Sequence, residues 1–320
     1  MVESRQIEVL LVDDRNSGGE SLRVAFDQTG LSNVVHVVPD GDAALECLRS
    51  EQTDPGEHVE PSLIVLDMNS QTDGQPTVTE ELALLGELKG NPALRSIPVI
   101  VVTDSSDQAD ILNAYSSGAC SFVSKPDCPV RRRLLYSQLA EYWAHVAQLP
   151  RTGSNLDDSL TALFKTGVED EQIAPLPVLV VDDSEDDILL LKEAFVDCPL
   201  VEFVGAVEDG ESALRYLRGE APYADSPRPA IVLLDINMPR MNGFEVLAEM
   251  RADDALAGIP VVMLTTSKQE SDILRAYSDG ACSFISKPVN FDRMRQIAQR
   301  FSLYWTLVAD TPPLDTLVAS

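Results

Sequence analysis

The chain repeats itself. Asp13-Asp14, Asp40-Gly41, Asp67, Thr103, Lys125-Pro126 and Tyr142-Trp143 recur in the same order as Asp182-Asp183, Asp209-Gly210, Asp235, Thr265, Lys287-Pro288 and Tyr304-Trp305. The separation is 169 residues at the acidic pair, 168 at the single Asp and 162 from Glu87 onward, so the first copy carries six extra residues between Asp67 and Glu87. A tandem duplication on this scale makes each half bury its own core, and 320 residues suit two domains of ordinary size.

Short apolar runs end in polar residues within each copy. In the second, Val178-Leu179-Val180-Val181 runs into Asp182-Asp183, and Ile231-Val232-Leu233-Leu234 runs into Asp235, followed by Pro239 and Gly243. Val261-Val262-Met263-Leu264 ends in Thr265, and Cys282-Ser283-Phe284-Ile285-Ser286 ends in Lys287-Pro288. Such runs are too short for helices and read as buried strands. Between them lie helix-period stretches: Ile188, Leu191 and Phe195; residues 210–217, 244–250 and 271–277; and a long last one carrying Phe291, Met294, Phe301, Tyr304, Trp305 and Val308. Strands alternating with helices predict a parallel sheet covered on both faces. Ligands bind such sheets at the carboxyl ends of the strands, where the named carboxylates, hydroxyl and ammonium all fall.

In that order and spacing these residues resemble the receiver domain of two-component response regulators, twice in one chain. The resemblance implies two flavodoxin-like (βα)5 domains, each an α/β fold with a parallel five-stranded sheet of order 2-1-3-4-5. They are expected over residues 1–148 and 175–309, with a linker over 149–174 and a mobile tail over 310–320. The linker carries Leu156, Leu160, Leu163 and Phe164 at helical spacing before Gly167, which predicts a short amphipathic helix. No output domain is expected within these 320 residues.

Carboxylates about 5 Å apart repel by roughly 3 kcal/mol per pair at an effective dielectric near 20, so three together need a cation or must take up protons. Mg2+ suits an all-oxygen set. By resemblance Asp183 and Asp235 bind Mg2+ directly, Asp182 acts through water and Asn237 offers its backbone carbonyl. Asp235 is then the phosphoacceptor, Lys287 the second positive charge, Thr265 the hydroxyl on a phosphoryl oxygen, and Phe284 the aromatic that swings inward. The family's Lys-Pro bond is cis. In the first copy Asp13, Asp14, Asp67 and Asn69 are the matching metal residues, Asp67 the matching acceptor, and Thr103, Lys125 and Phe122 the matching switch. The turn after Asp67 reads Asn69-Ser70-Gln71-Thr72-Asp73-Gly74 where the second copy has Asn237-Met238-Pro239-Arg240-Met241-Asn242, and Asp104 stands where Thr266 does. A carboxylate there opposes an incoming phosphoryl group, so the first copy is either a second acceptor or a non-signalling structural copy.

Residues 110–126 and 272–288 differ only at Asn113/Arg275, Ser117/Asp279 and Val123/Ile285. Two readings stand. Either like faces built from the fourth helix, fifth strand and fifth helix pair, between the copies or between two chains as a dimer, or the buried Gly-Ala-Cys-Ser-Phe and the Lys-Pro hold the segment unchanged. Twenty-four basic against 52 acidic side chains give a formal charge of −28, which argues against nucleic acid as a partner. No apolar run has membrane-spanning length, the N-terminus is unlike a signal peptide, and five cysteines without Cys-x-x-Cys fit a reducing compartment, so a cytoplasmic location is expected.

The second copy also resembles the single-domain regulators that partner bacterial phytochrome kinases, in Tyr223-Ala224-Asp225-Ser226-Pro227-Arg228-Pro229, Leu264-Thr265-Thr266-Ser267 and Tyr304-Trp305. The implied function is a phosphorelay module that takes phosphate from a histidine kinase in trans and catalyses no other chemistry than its own phosphorylation and dephosphorylation. A phosphate sink or relay and a Mg2+-dependent phosphoesterase are the competing readings. Against the latter, no Asp-x-Asp supplies an acid beside the nucleophile.

Overall fold

The computed structural model describes residues 6–13, 19–30, 32–49, 59–67, 71–72, 75–76, 78–150 and 174–312. Asp14, Asn69, the expected linker helix and residues 313–320 lie outside them.

The first copy runs β1 (Gln6–Asp13), α1 (Gly19–Asp27), β2 (Ser32–Val38), α2 (Gly41–Arg49), β3 (Leu63–Asp67), β4 (Gln71–Thr72), β5 (Gln75–Pro76), α3 (Thr79–Gly90), β6 (Val99–Thr103), α4 (Gln108–Ser116), β7 (Ser121–Ser124) and α5 (Pro129–His145). The second runs β8 (Leu176–Val181), α6 (Glu185–Ala194), β9 (Val201–Val207), α7 (Gly210–Leu217), β10 (Ile231–Leu234), α8 (Gly243–Ala252), β11 (Val261–Thr265), α9 (Glu270–Ser278), β12 (Ser283–Ser286) and α10 (Phe291–Leu307). The two large sheets have orders β2-β1-β3-β6-β7 and β9-β8-β10-β11-β12 with every pairing parallel, which is 2-1-3-4-5 in each copy's own count. β3, β6, β10 and β11 are buried at every residue, as continuous apolar runs in a doubly covered sheet require.

Local chemistry sets the helix starts. Asn242 and Glu245 form a reciprocal capping box at α8, and Asp209, Ser184 and Asn290 cap α7, α6 and α10. The lengthened turn of the first copy is a small antiparallel ribbon, with Gln71 opposite Pro76 and Thr72 opposite Gln75.

The two copies pack on each other through like faces. Tyr142 of α5 stacks on Tyr304 of α10 with ring centroids 4.2 Å apart and planes 7° from parallel. Trp143 Nε1 donates to Tyr304 Oη at 2.8 Å, and in the mirrored contact Trp305 Nε1 donates to Tyr142 Oη at 3.0 Å. These four rings are at most 1% exposed. The reciprocity continues on the edge strands: Gln148 N donates to Phe284 O, Asp310 N to Phe122 O, and the Cys120 and Cys282 thiols approach Ala281 O and Ala119 O. Residue i meeting j while j's counterpart meets i's is the signature of a two-fold contact, made here inside one chain. Of the two readings of residues 110–126 and 272–288, pairing of the copies is the one observed.

The tail is corrected at its start. Asp310 does not leave the fold: its carboxylate accepts from Ser124 N at 2.7 Å and its carbonyl from Tyr115 Oη at 2.9 Å, both in the first copy. Its partners are distant in sequence, so local polarity misread it.

Candidate acidic site at the strand ends

In the second copy the parallel register brings the ends of β8, β10, β11 and β12 to one edge. Asp182 and Asp235 are 4% and 5% exposed, and Thr265 is fully buried. Lys287 reaches in from the turn after β12, its backbone N–H tied to Thr265 O. Its ammonium lies 2.6 Å from Asp182 Oδ2, 2.7 Å from Asp187 Oδ2 and 3.0 Å from Asp235 Oδ1. The other oxygen of Asp235 accepts the Asn237 backbone N–H at 2.6 Å, and Asn237 Nδ2 donates to Thr265 Oγ1 at 3.4 Å. Gly243 makes this close turn possible, because a Cβ there would stand 2.2 Å from the Asp235 carbonyl oxygen.

One ammonium faces three carboxylates, so the site carries excess negative charge. Burial pushes the Asp182 carboxyl up from its ordinary range, against the opposing pull of Lys287. For Lys287 burial pulls downward, but the hydrogen bonds to Asp182 and Asp187 and the charge of Asp235 outweigh it and hold the ammonium above the usual lysine range.

The lysine's partners extend beyond the acidic pair. Asp183 is exposed, and Asp187, from the first turn of α6, joins Asp182 and Asp235 around the lysine. Asp187 is visible in sequence as one of three acids in that turn, where negative charge suits the helix dipole, and nothing local marks it as a lysine partner. Among the described residues no group of three acidic, His or Cys side chains is gathered closely enough to hold a metal unaided. The Lys287–Pro288 bond is not cis; the cis peptide among the described residues is Ala221–Pro222, and the lysine's flexible stem reaches the carboxylates without it. Phe284 and Phe122 are both fully buried, and their carbonyls accept backbone bonds from Gln148 and Asp310 of the other copy.

The first copy assembles the same edge with different contacts. Asp13 and Asp67 are neighbours in the β1–β3 register and are 1% and 3% exposed. Lys125 Nζ lies 2.7 Å from Asp67 Oδ1 and 3.8 Å from Asp104 Oδ1, so Asp104 leans on the same ammonium. The second Asp67 oxygen accepts from Tyr136 Oη of α5 at 2.8 Å. Tyr136 has no hydroxyl counterpart in the second copy, where the 162-residue offset sets it against Ala298. Burial raises the Asp67 carboxyl, partly offset by Lys125 and Tyr136.

Each doubly wound sheet thus gathers a buried Asp, an acidic neighbour, a Thr and a Lys on one rim, the pattern of a receiver domain. The family described as response regulator receiver domain matches residues 9–135 and 178–299, and the chain belongs to that family. It is similar to response regulator Rcp1 of Synechocystis sp., with 32% identity over 145 residues, which is 45% of this chain and 99% of that protein. It is also similar to the probable methanogenesis regulatory protein FilR2 of Methanothrix harundinacea, with 36% identity over 134 residues, 41% of this chain and 84% of that protein. Among solved structures the phosphorylated cyanobacterial phytochrome response regulator RcpA matches at 38% identity, covering 44% of this chain and all of that one, with a TM-score of 0.42. Among the described residues no helix is long and apolar enough to cross a membrane.

Proposed function

We propose that Asp235 accepts a phosphoryl group from a histidine kinase in trans and that the chain works by altered protein contacts. The observation that carries this is Lys287 spanning Asp182, Asp187 and Asp235 beside the buried Thr265. The donor set fits a hard divalent cation, because it is all oxygen and carries more negative charge than Lys287 neutralises. Asp182, Asp183, Asp235 and the Asn237 carbonyl would hold Mg2+, which supplies the positive charge that phosphoryl transfer needs. By sequence, Asp13 and Asp67, with Asp14 and Asn69 outside the described residues, would be the corresponding donors of the first copy.

The chain's own residues do the rest. One Asp235 oxygen attacks phosphorus, forming an acyl phosphate while the donor's leaving group departs with its electron pair. Lys287 neutralises a phosphoryl oxygen, and the Thr265 hydroxyl, whose oxygen accepts from Asn237 Nδ2, donates its proton to another. The backbone bond from Lys287 N to Thr265 O couples that movement to β12, and the Phe284 carbonyl on β12 holds Gln148 of the first copy. Loading Asp235 thereby acts on the contact between copies, a change of charge read out as a change of surface. The stretches shared with phytochrome-partnered regulators favour a phytochrome-type kinase as donor. The reading places the protein in the cytoplasm.

Radiolabelled acetyl phosphate with Mg2+ tests the proposal. Acid-stable, base-labile label that disappears in Asp235→Asn and on chelation is expected; label that persists in Asp235→Asn at the wild-type level would refute it.

A further inference from the structure

The two acceptor carboxylates differ most in what holds their second oxygen. For Asp235 it is the amide of Asn237, part of its own turn, and the matching position on the last helix is Ala298, a methyl group. For Asp67 it is the phenol of Tyr136, delivered 2.8 Å away from a different element, α5, by a side chain that is 1% exposed. A phosphoryl group on that oxygen would carry its own peripheral oxygens into the space the phenol fills. On the other oxygen it would displace Lys125, already 2.7 Å away and shared with Asp104. The buried carboxylate has accepted its hydrogen bonds from inside the protein, and an incoming dianion would have to break them.

We propose that Tyr136 is the residue that confines loading to Asp235, by occupying the acceptor pocket of the first copy with its hydroxyl. This rests on Asp235 being an acceptor. Tyr136 positions and shields Asp67 without reacting. The chain then has one addressable site and one site kept closed by an internal ligand, and Tyr136 rather than the lengthened turn after Asp67 is the deciding difference. Asp104 reinforces it by adding a carboxylate 3.8 Å from the Lys125 ammonium, a negative charge beside any incoming phosphoryl group. The charge of the Asp67–Lys125 pair still holds the rim of the first copy together, which preserves the face that packs on the second copy.

The test uses the full chain with acetyl phosphate and Mg2+, and peptide mass spectrometry to locate the phosphate. In Asp235→Ala, Asp67 is expected to load at least tenfold more slowly than Asp235 loads in the wild type. In Asp235→Ala/Tyr136→Phe, which keeps the ring and loses only the hydroxyl, and in Asp235→Ala/Tyr136→Ala, which copies Ala298, label is expected to appear on Asp67, faster in the alanine variant. The reverse exchange, Ala298→Tyr, is expected to slow loading of Asp235 at least tenfold. A merely structural tyrosine would leave the phenylalanine variant like its parent. The inference is overturned if Asp67 loads as fast as Asp235 with Tyr136 in place, or if Asp67 stays unlabelled in both double variants while they melt cooperatively. Failure of wild-type Asp235 to load would instead refute the acceptor reading, while the Asp67 comparison stays readable.

Discussion

Replacing Tyr142 by phenylalanine removes one oxygen from the contact between copies and nothing else. The ring still stacks on Tyr304 at 4.2 Å, so shape and aromatic packing are kept. The hydroxyl donates to Ser283 Oγ at 3.0 Å and accepts from Trp305 Nε1 at 3.0 Å, all in a region closed to solvent. Losing it leaves the indole N–H of Trp305 buried without that acceptor, which costs about 1–3 kcal/mol, and forfeits the tyrosine–serine bond, worth about 1 kcal/mol net. The variant is therefore expected to be less stable by about 2–4 kcal/mol, a large share of the roughly 5–15 kcal/mol that holds a typical domain folded. Urea unfolding followed by circular dichroism measures it, as a lower midpoint at an unchanged slope. A loss below about 0.5 kcal/mol, the range of an ordinary surface substitution, would refute the reasoning, because Tyr142 would then not be buried against the second copy.

Three other outcomes are expected. Gly243→Ala puts a methyl group 2.2 Å from the Asp235 carbonyl oxygen, so it should cost about 1–3 kcal/mol or more in a thermal melt and impair Asp235 loading. Asn242→Ala removes the side-chain half of the capping box at α8, the Oδ1 that accepts from Phe244 N and Glu245 N, and should cost about 0.5–2 kcal/mol by urea unfolding. Asp182 has its carboxyl raised by burial, so the folded state binds the proton more tightly than the unfolded chain does. Stability of the metal-free protein should therefore fall as pH rises from about 4 through the raised value, with Lys287 charged throughout, and Asp182→Asn should lose that dependence; an acid-to-neutral series of melts in chelator checks it.

Much of this architecture was legible because a carboxylate or a lysine at the end of a short apolar run has one place to go in a parallel sheet. Asp182, Asp235, Thr265 and Lys287 are such residues, and the duplication supplied the same reading for Asp13, Asp67, Thr103 and Lys125. What stayed hidden depends on where helices and termini come to rest. Tyr136 sits 69 residues from Asp67 on a helix whose period marks it as core, and only its mismatch with Ala298 hints at more. Asp187 looked like helix-start charge because that role accounts for it without a lysine nearby. Asp310 follows an apparent helix end with prolines beyond, yet its hydrogen bonds go to the other copy, where no local pattern points. The near-identity of residues 110–126 and 272–288 did announce a shared face, but a conserved core and a conserved contact leave the same trace in sequence, and the Tyr142–Tyr304 stack distinguishes them.

The most direct measurement is the intact mass of the wild-type chain after treatment with acetyl phosphate and Mg2+, with the modified residue mapped. A single added phosphoryl group on Asp235 is the predicted result. An unmodified chain, or one modified elsewhere while Asp235 remains bare, would contradict the account.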